Sequence, residues 1–273
     1  MRRLIPIILL LLAAAPLFGR PAIAQTTPRI VVSLGDGRQT YSAADLLDRK
    51  DVRAIQVDDV AYKREMIYQA VPLLALADGL ETADFDTVEA RATDGFVAQV
   101  PVSLLSSDDA TPFIAIEDPE KPWPKLPGKD YSAGPFYLVW QNTGGANLGS
   151  EQWIYALAEV RGVVSPEKRW PQMAVDAALP ENAPEHLGLQ VFIKNCLPCH
   201  RLDGAGEGTM GPDLARPIPA TEYLTDDGLR KLIRDPASVR SWPNMQMKGF
   251  DSDAISDEEL TALIAYLAYV ASK

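Results

Sequence analysis

The run Cys196-Leu197-Pro198-Cys199-His200 constrains this chain more than any other stretch. It contains the only two cysteines among 273 residues and one of the only two histidines. Two thiols about one helical turn apart can add to the two vinyl groups along one edge of a porphyrin, and the imidazole that follows can bind the iron. The run therefore predicts one covalently attached haem c, with Cys196 and Cys199 as attachment residues and His200 as an axial ligand of iron.

Two other uses of a Cys-x-x-Cys pair compete with haem attachment. A thioredoxin-type redox dithiol needs a βαβ context, which the flanking sequence does not provide. A structural zinc site needs four ligands, and the sequence has no second pair of cysteines or histidines to complete them. Haem attachment is therefore the preferred interpretation.

Residues 1–24 are typical of a secretory signal peptide. Arg2 and Arg3 form a positive start, residues 4–17 are almost uninterruptedly apolar, and Ala22-Ile23-Ala24 fits the small-x-small cleavage rule. An uncleaved membrane anchor is the alternative, but the apolar run is shorter than the roughly 20 residues of a spanning helix. We expect cleavage before Gln25 and a periplasmic protein that has no membrane span after signal cleavage.

The charge of the chain narrows the choice of partners. The formal net charge is −11, and loss of residues 1–24 would remove three arginines and no acid. Residues 25–184 carry 24 acidic and 14 basic side chains, a net charge of −10. Such a protein repels nucleic acid, so nucleic acid is not expected as a partner.

Residues 25–164 show the pattern of a strand-rich domain. Short runs rich in β-branched and aromatic residues recur between turn signals such as Asp94-Gly95. Ser42, followed three residues later by Asp45, predicts the cap of a short helix. The expected fold class is α+β with a mainly antiparallel sheet. The predicted strands cover residues 29–33, 54–57, 65–71, 88–92, 96–102, 113–117, 136–140 and 154–163.

This domain resembles the short, secreted relatives of the sulfite-oxidase-type molybdopterin-binding domain. The similar stretches are Tyr41–Leu47, Ala70–Leu74, Ala92–Phe96 leading to Val100-Pro101, and Ala133–Trp140. Catalytic members of that family bind molybdenum through a cysteine thiolate, and residues 25–164 contain neither cysteine nor histidine. The resemblance therefore implies a degenerate domain that has kept the fold without binding molybdenum, so molybdopterin is not an expected cofactor.

Residues 165–184 contain four prolines and are predicted to link the two domains. From residue 185 to residue 273 the chain resembles class I cytochrome c, an all-α fold. The motifs are Gly188 and Phe192 before the haem run, Gly211-Pro212-Asp213-Leu214 after it, and Tyr266 in a last helix opened by the capping box Ser256–Glu259. The resemblance implies that the Pro212 carbonyl accepts a hydrogen bond from the second ring nitrogen of His200.

The sixth ligand of the iron is expected from a downstream methionine. Met247 keeps the Met-x-x-Phe spacing of the family and is preferred, and Met245 is the alternative. Met210 is interpreted as a residue that fills space in the proximal loop. His186 lies ten residues before Cys196 on the helix that leads to the attachment site, and it is interpreted as a solvated histidine.

These features favour an exported electron carrier over a catalyst, because no nucleophile or acid–base pair accompanies the haem motif. The expected partner is a redox protein: a dehydrogenase, an oxidase or another cytochrome. The strand-rich domain is expected to serve as a partner-docking module. The alternatives are the haem-bearing subunit of a periplasmic dehydrogenase that oxidises a small anion such as sulfite, or a haem sensor or peroxidase with a labile sixth ligand.

Overall fold

The computed structural model describes residues 27–35, 37–77, 84–144, 146, 148–243 and 245–273. The predicted signal peptide lies outside the described residues.

Nine strands in the described part of the chain form two sheets. The five-stranded sheet has the order β2-β1-β9-β5-β6, and the four-stranded sheet has the order β3-β4-β7-β8. All neighbouring pairs are antiparallel except β1 and β9. The expected strand-rich, mainly antiparallel fold is therefore confirmed. The strands are β1 Arg29–Ser33, β2 Gln39–Ser42, β3 Arg53–Asp59, β4 Arg64–Pro72, β5 Thr87–Ala92, β6 Val97–Pro101, β7 Thr111–Ile116, β8 Phe136–Gln141 and β9 Leu157–Val163.

The local sequence explains how the sheets are connected. Asp94 and Gly95 form the turn between β5 and β6, and Gly95 has a φ of +95°, which favours glycine. Helix α1 (Ala43–Leu47) begins at Ser42, whose hydroxyl accepts from the N–H of Asp45 in a capping box. Helix α2 (Val102–Leu105) follows β6 directly, and a 3₁₀ turn covers Leu73–Leu76.

The sheets enclose one apolar core, because alternate residues of β3 and β4 face inward while the residues between them face water. Strand β8 is buried along nearly its whole length. Its Tyr137 and Trp140 pack with Tyr68 of β4 and Phe113 of β7 among the largest fully buried side chains. This core gives the residues at the ends of β6 and β9 fixed positions.

A helical domain follows the two-sheet domain along the chain. Its helices are α4 Pro184–Val191, continued by the π-helical segment Phe192–Cys196, α5 Ala220–Tyr223, α6 Asp226–Arg234, α7 Pro236–Val239 and α8 Asp257–Ala271. Helix α8 begins at Ser256, whose hydroxyl accepts from the N–H of Glu259. Its buried face packs on α4 and α6, with Phe192 and Tyr266 in contact at a ring-centroid distance of 5.8 Å.

The segment 165–184, predicted as a linker, contacts both domains, and on the strand-rich side Arg169 donates to Glu89 of β5 at 2.9 Å. It contains helix α3 (Pro166–Arg169) and a 3₁₀ turn at Pro171–Met173. Met173 is fully buried in the helical core, and its carbonyl accepts from the Tyr266 hydroxyl at 2.8 Å. The segment thus adds packing between the domains as well as connecting them.

Helices α4 and α8 cross at Gly188. A Cβ atom at this position would lie 2.2 Å from the carbonyl oxygen of Ala262 and 2.5 Å from Cβ of Tyr266. Only a residue without a side chain permits this approach, which explains why glycine stands here.

Replacing Gly188 by alanine is expected to lower the free energy of unfolding of the haem-loaded protein by about 2 kcal/mol, a typical cost of overpacking. Chemical denaturation would measure the loss. Gly37→Ala is the matched control, because a Cβ there meets nothing within 4 Å. Equal stability of the two variants would contradict the close helix crossing.

Candidate haem site

The turn after the π-helical segment brings the haem motif together. The N–H of Cys199 and the N–H of His200 both donate to the carbonyl of Cys196, at 3.1 and 2.9 Å. This turn places the two thiols and the imidazole along one wall of the same cavity. Both cysteines are free and half-buried.

The cavity has a volume of about 350 Å³ and is lined mainly by apolar side chains. The helical domain contributes the motif residues and the buried faces of α6 and α8. Among the described lining residues of that domain are Cys196, Cys199, His200, Met210, Pro212, Leu214, Leu229, Ile233, Met247, Phe250, Leu263 and Leu267.

The loop after the motif orients the imidazole. Nδ1 of His200 lies 2.8 Å from the carbonyl oxygen of Pro212. If Nδ1 carries the proton and donates to this carbonyl, Nε2 keeps its lone pair for a metal. Gly211 packs on the ring so closely that a Cβ there would lie 2.4 to 2.9 Å from ring atoms. Burial lowers the pKa of His200, although the hydrogen bond to Pro212 opposes that shift.

Two of the three methionines discussed above as possible ligands or neighbours of the haem lie at the cavity. Met247 and Met210 line the cavity, and Met245 is not among the described residues that do so. The sulfur of Met210 lies 3.9 Å from the sulfur of Cys199, within the loop that carries the imidazole. Met247 lies much later in the chain, in the segment between α7 and α8.

Burial, and after it the nearby negative charge of Glu151, raises the pKa of each thiol to about 12. The thiols of Cys196 and Cys199 are therefore protonated at neutral pH. Because the thiolate is the species that attacks in disulfide exchange, this environment slows formation of a disulfide between them.

The residues present fit a covalently bound haem. Cys196 and Cys199 would carry the thioether bonds, and His200 would bind iron through Nε2. The apolar lining suits a porphyrin, and the absence of a side chain at Gly211 leaves room for the imidazole to stand in its hydrogen-bonded orientation.

The strand-rich domain supplies the remaining wall of this cavity. The N–H of Val97, the first residue of β6, donates to the carbonyl of Pro198 inside the haem motif at 3.0 Å. The side-chain amide of Gln152 donates to the carbonyl of Lys194 at 3.1 Å. Lining residues from this domain are Ala92, Asp94, Phe96, Lys129, Tyr131, Ser150, Glu151, Trp153, Ile154 and Tyr155.

No sequence pattern marked these ten residues as part of a haem site, because each is ordinary for a strand end or a loop. Those that fell within predicted elements, such as the turn Asp94-Gly95 or the strand 154–163, were predicted only as strand and turn residues. Their contact with the haem motif depends on how the two domains pack, which periodicity and spacing do not encode.

His186, interpreted as a solvated histidine, is half-buried. Its Nε2 atom is buried and has no hydrogen-bond partner among the described residues. The histidine belongs to the first turn of α4, which packs against α8, and this packing removes Nε2 from water. It lies on a side of the helix apart from the haem motif cavity.

The fold and the site define a helical haem-binding domain joined to a two-sheet domain. Residues 186–271 match the family model described as Cytochrome c, so the chain contains a cytochrome c domain there. The match does not extend to the strand-rich domain, whose resemblance to molybdopterin-binding domains stays a prediction. A comparison with curated proteins gives no match. In the described part of the chain, no helix has the length and apolar character needed to cross a bilayer.

Proposed function

We propose that the protein is an exported single-haem c-type cytochrome that transfers electrons between periplasmic redox partners. The observation that carries this proposal is the convergence of Cys196, Cys199, His200 and Met247 on one apolar cavity. The match of residues 186–271 to cytochrome c supports it.

The residues have separate tasks in this proposal. Haem c, when bound, supplies an iron that takes up and releases one electron. Cys196 and Cys199 hold the group covalently, and His200 binds the iron with its orientation fixed by Pro212. Met247 is the proposed second axial ligand, and its place in the lining, which Met245 does not share, supports that choice. A mainly apolar lining favours the less charged ferrous form and so raises the reduction potential.

The acidic surplus of the strand-rich domain supports a further role in partner docking. Because this domain forms part of the cavity wall, its negative field acts close to the haem site. Complementary charges raise association rates more than affinity, so a basic redox partner would be steered toward the cavity.

The first experiment asks whether the mature, full-length protein cycles electrons. The periplasmic protein should begin at Gln25 and retain haem after denaturation. A basic redox protein should reduce and reoxidise it reversibly, at a rate that falls steeply with added salt. Cys196→Ser with Cys199→Ser should release the haem on denaturation. Stoichiometric molybdenum with sulfite turnover, or rapid peroxide turnover, would replace the carrier with one of the enzyme alternatives.

A further inference from the structure

The segment that carries Met247 has no helix or strand of its own. The N–H of Met245 donates to the carbonyl of Trp242 at 3.2 Å, and the N–H of Phe250 donates to the carbonyl of Ile233 at 3.0 Å. Phe250 is buried against the helical core. Met247 lies between these two hydrogen bonds, and the one at Phe250 ties the segment to α6.

Lys248, the next residue, binds the other domain. Its Nζ atom lies 2.9 Å from Oγ of Ser150 and 2.9 Å from Oε1 of Glu151. The hydroxyl of Ser150 in turn donates to Oε2 of Glu151 at 2.6 Å. We call these three residues, Ser150, Glu151 and Lys248, the clasp.

The strand-rich side of the clasp is held rigidly. Ser150 and Glu151 belong to the 3₁₀ turn Ser150–Gln152, and the side chain of Gln152 accepts from the N–H of Gly149 and donates to the carbonyl of Lys194. The side chain of Glu151 is only 6% exposed. An anion that is so far removed from water needs a nearby cation, and Lys248 is its ion-pair partner.

The clasp lies at the haem cavity itself. Ser150, Glu151 and Lys248 all line it together with Met247. The clasp therefore joins the wall formed by the strand-rich domain to the segment that carries the proposed ligand.

We propose that Lys248 is a positioning residue: through the clasp, the strand-rich domain closes the haem cavity and holds the Met247 segment at the iron. This inference rests on the proposed function and on Met247 as the axial ligand. Fixing this irregular segment to α6 at Phe250 and, through Lys248, to the strand-rich domain reduces the conformational freedom that it loses when methionine binds. This strengthens the bond without any new contact to the metal.

The test uses the haem-loaded, full-length protein and imidazole as the competing ligand for ferric iron. In Lys248→Gln, imidazole should replace the methionine about tenfold faster than in the unmodified protein, which corresponds to a loss of about 1.4 kcal/mol. The reduction potential should fall as well, because a positive charge beside the haem is lost. Lys248→Arg should restore slow exchange, since a guanidinium can keep the ion pair with Glu151.

Lys168→Gln is the charge-matched control. Lys168 pairs with Asp86 on an exposed surface and does not line the cavity. It should leave imidazole binding unchanged. Glu151→Gln should accelerate exchange too, and the double variant with Lys248→Gln should be no faster than the quicker single variant, because both changes break the same clasp.

Exchange rates and potentials equal to those of the Lys168→Gln control would overturn the positioning role, while reversible electron transfer by the same samples would leave the proposed function standing. Additive effects of Glu151→Gln and Lys248→Gln would also contradict the clasp. If the unmodified protein shows no methionine ligation, both this inference and the assignment of Met247 as a ligand are wrong.

Discussion

Replacing Met247 by alanine is expected to abolish the far-red charge-transfer band between methionine sulfur and ferric iron. Alanine cannot bind iron, so water or another weak ligand would take the sixth position and the haem would become partly high-spin. The reduction potential should fall by an amount on the order of 0.1–0.3 V, a fraction of the roughly 0.8 V range that axial ligands set. Absorption spectroscopy and a redox titration of the full-length protein would measure both effects.

Met245→Ala is the matched control for this substitution. The two methionines are two residues apart on the same segment, but only Met247 is among the described residues that line the cavity. The control should therefore keep the band and nearly the full potential. Loss of the band in Met245→Ala alone would exchange the assignments, and loss in neither variant would exclude methionine ligation from this segment.

The sequence predicted the haem motif and the helical domain well, because both depend on short-range chemistry. The spacing of Cys196, Cys199 and His200 is set by the distance between the two vinyl groups on one edge of a rigid porphyrin. It can therefore be recognised without knowing the fold. The capping box at Ser256 and the small residue at Gly188 are likewise local requirements of one helix end and one helix crossing.

The sequence did not predict the shared cavity, because that depends on docking between the domains. In the sequence, Lys248 looks like any charged surface residue. Its role at Met247 becomes visible only in the structure, where the turn Ser150–Gln152 lies beside it. The burial of Nε2 of His186 was missed for the same reason, since it depends on tertiary packing. A charged or polar side chain that packing turns inward looks, in sequence, like any solvated one.

Glu89 on β5 is a second buried charged residue that the sequence did not predict. Nothing in the sequence around it suggests burial. Its side chain is only 1% exposed. One carboxylate oxygen accepts from Arg161 at 2.8 Å, and the other accepts from Arg169 at 2.9 Å and from the amide of Gln99 at 3.0 Å. Arg161 also donates to Glu207, in the loop after the haem motif, at 3.0 Å. Glu89 is therefore the centre of an ionic network that crosses between the domains.

Replacing Glu89 by alanine is expected to lower the free energy of unfolding by about 3–5 kcal/mol, because it leaves the arginines around it without their buried counter-charge. Asp86→Ala is the matched control. It removes the same charge close by in sequence, but Asp86 pairs with Lys168 at an exposed site, where an ion pair contributes about 0–1 kcal/mol. Denaturation of both haem-loaded variants at pH 7 would measure the difference, and similar losses would contradict the network.

The stability that Glu89 contributes should also depend on pH. Burial alone would raise its pKa, but hydrogen bonds from Gln99 and Arg169 and the charges of Arg169 and Arg161 lower it below the ordinary value of 4.5. A carboxyl whose pKa is lower in the folded protein stabilises it fully above the unfolded value and loses that effect as pH falls through the folded one. The stability difference between the unmodified protein and Glu89→Gln should therefore stay constant from pH 7 to about pH 5 and shrink in more acidic solution. A difference that does not change down to pH 3 would show that Glu89 is not held as a carboxylate by these arginines.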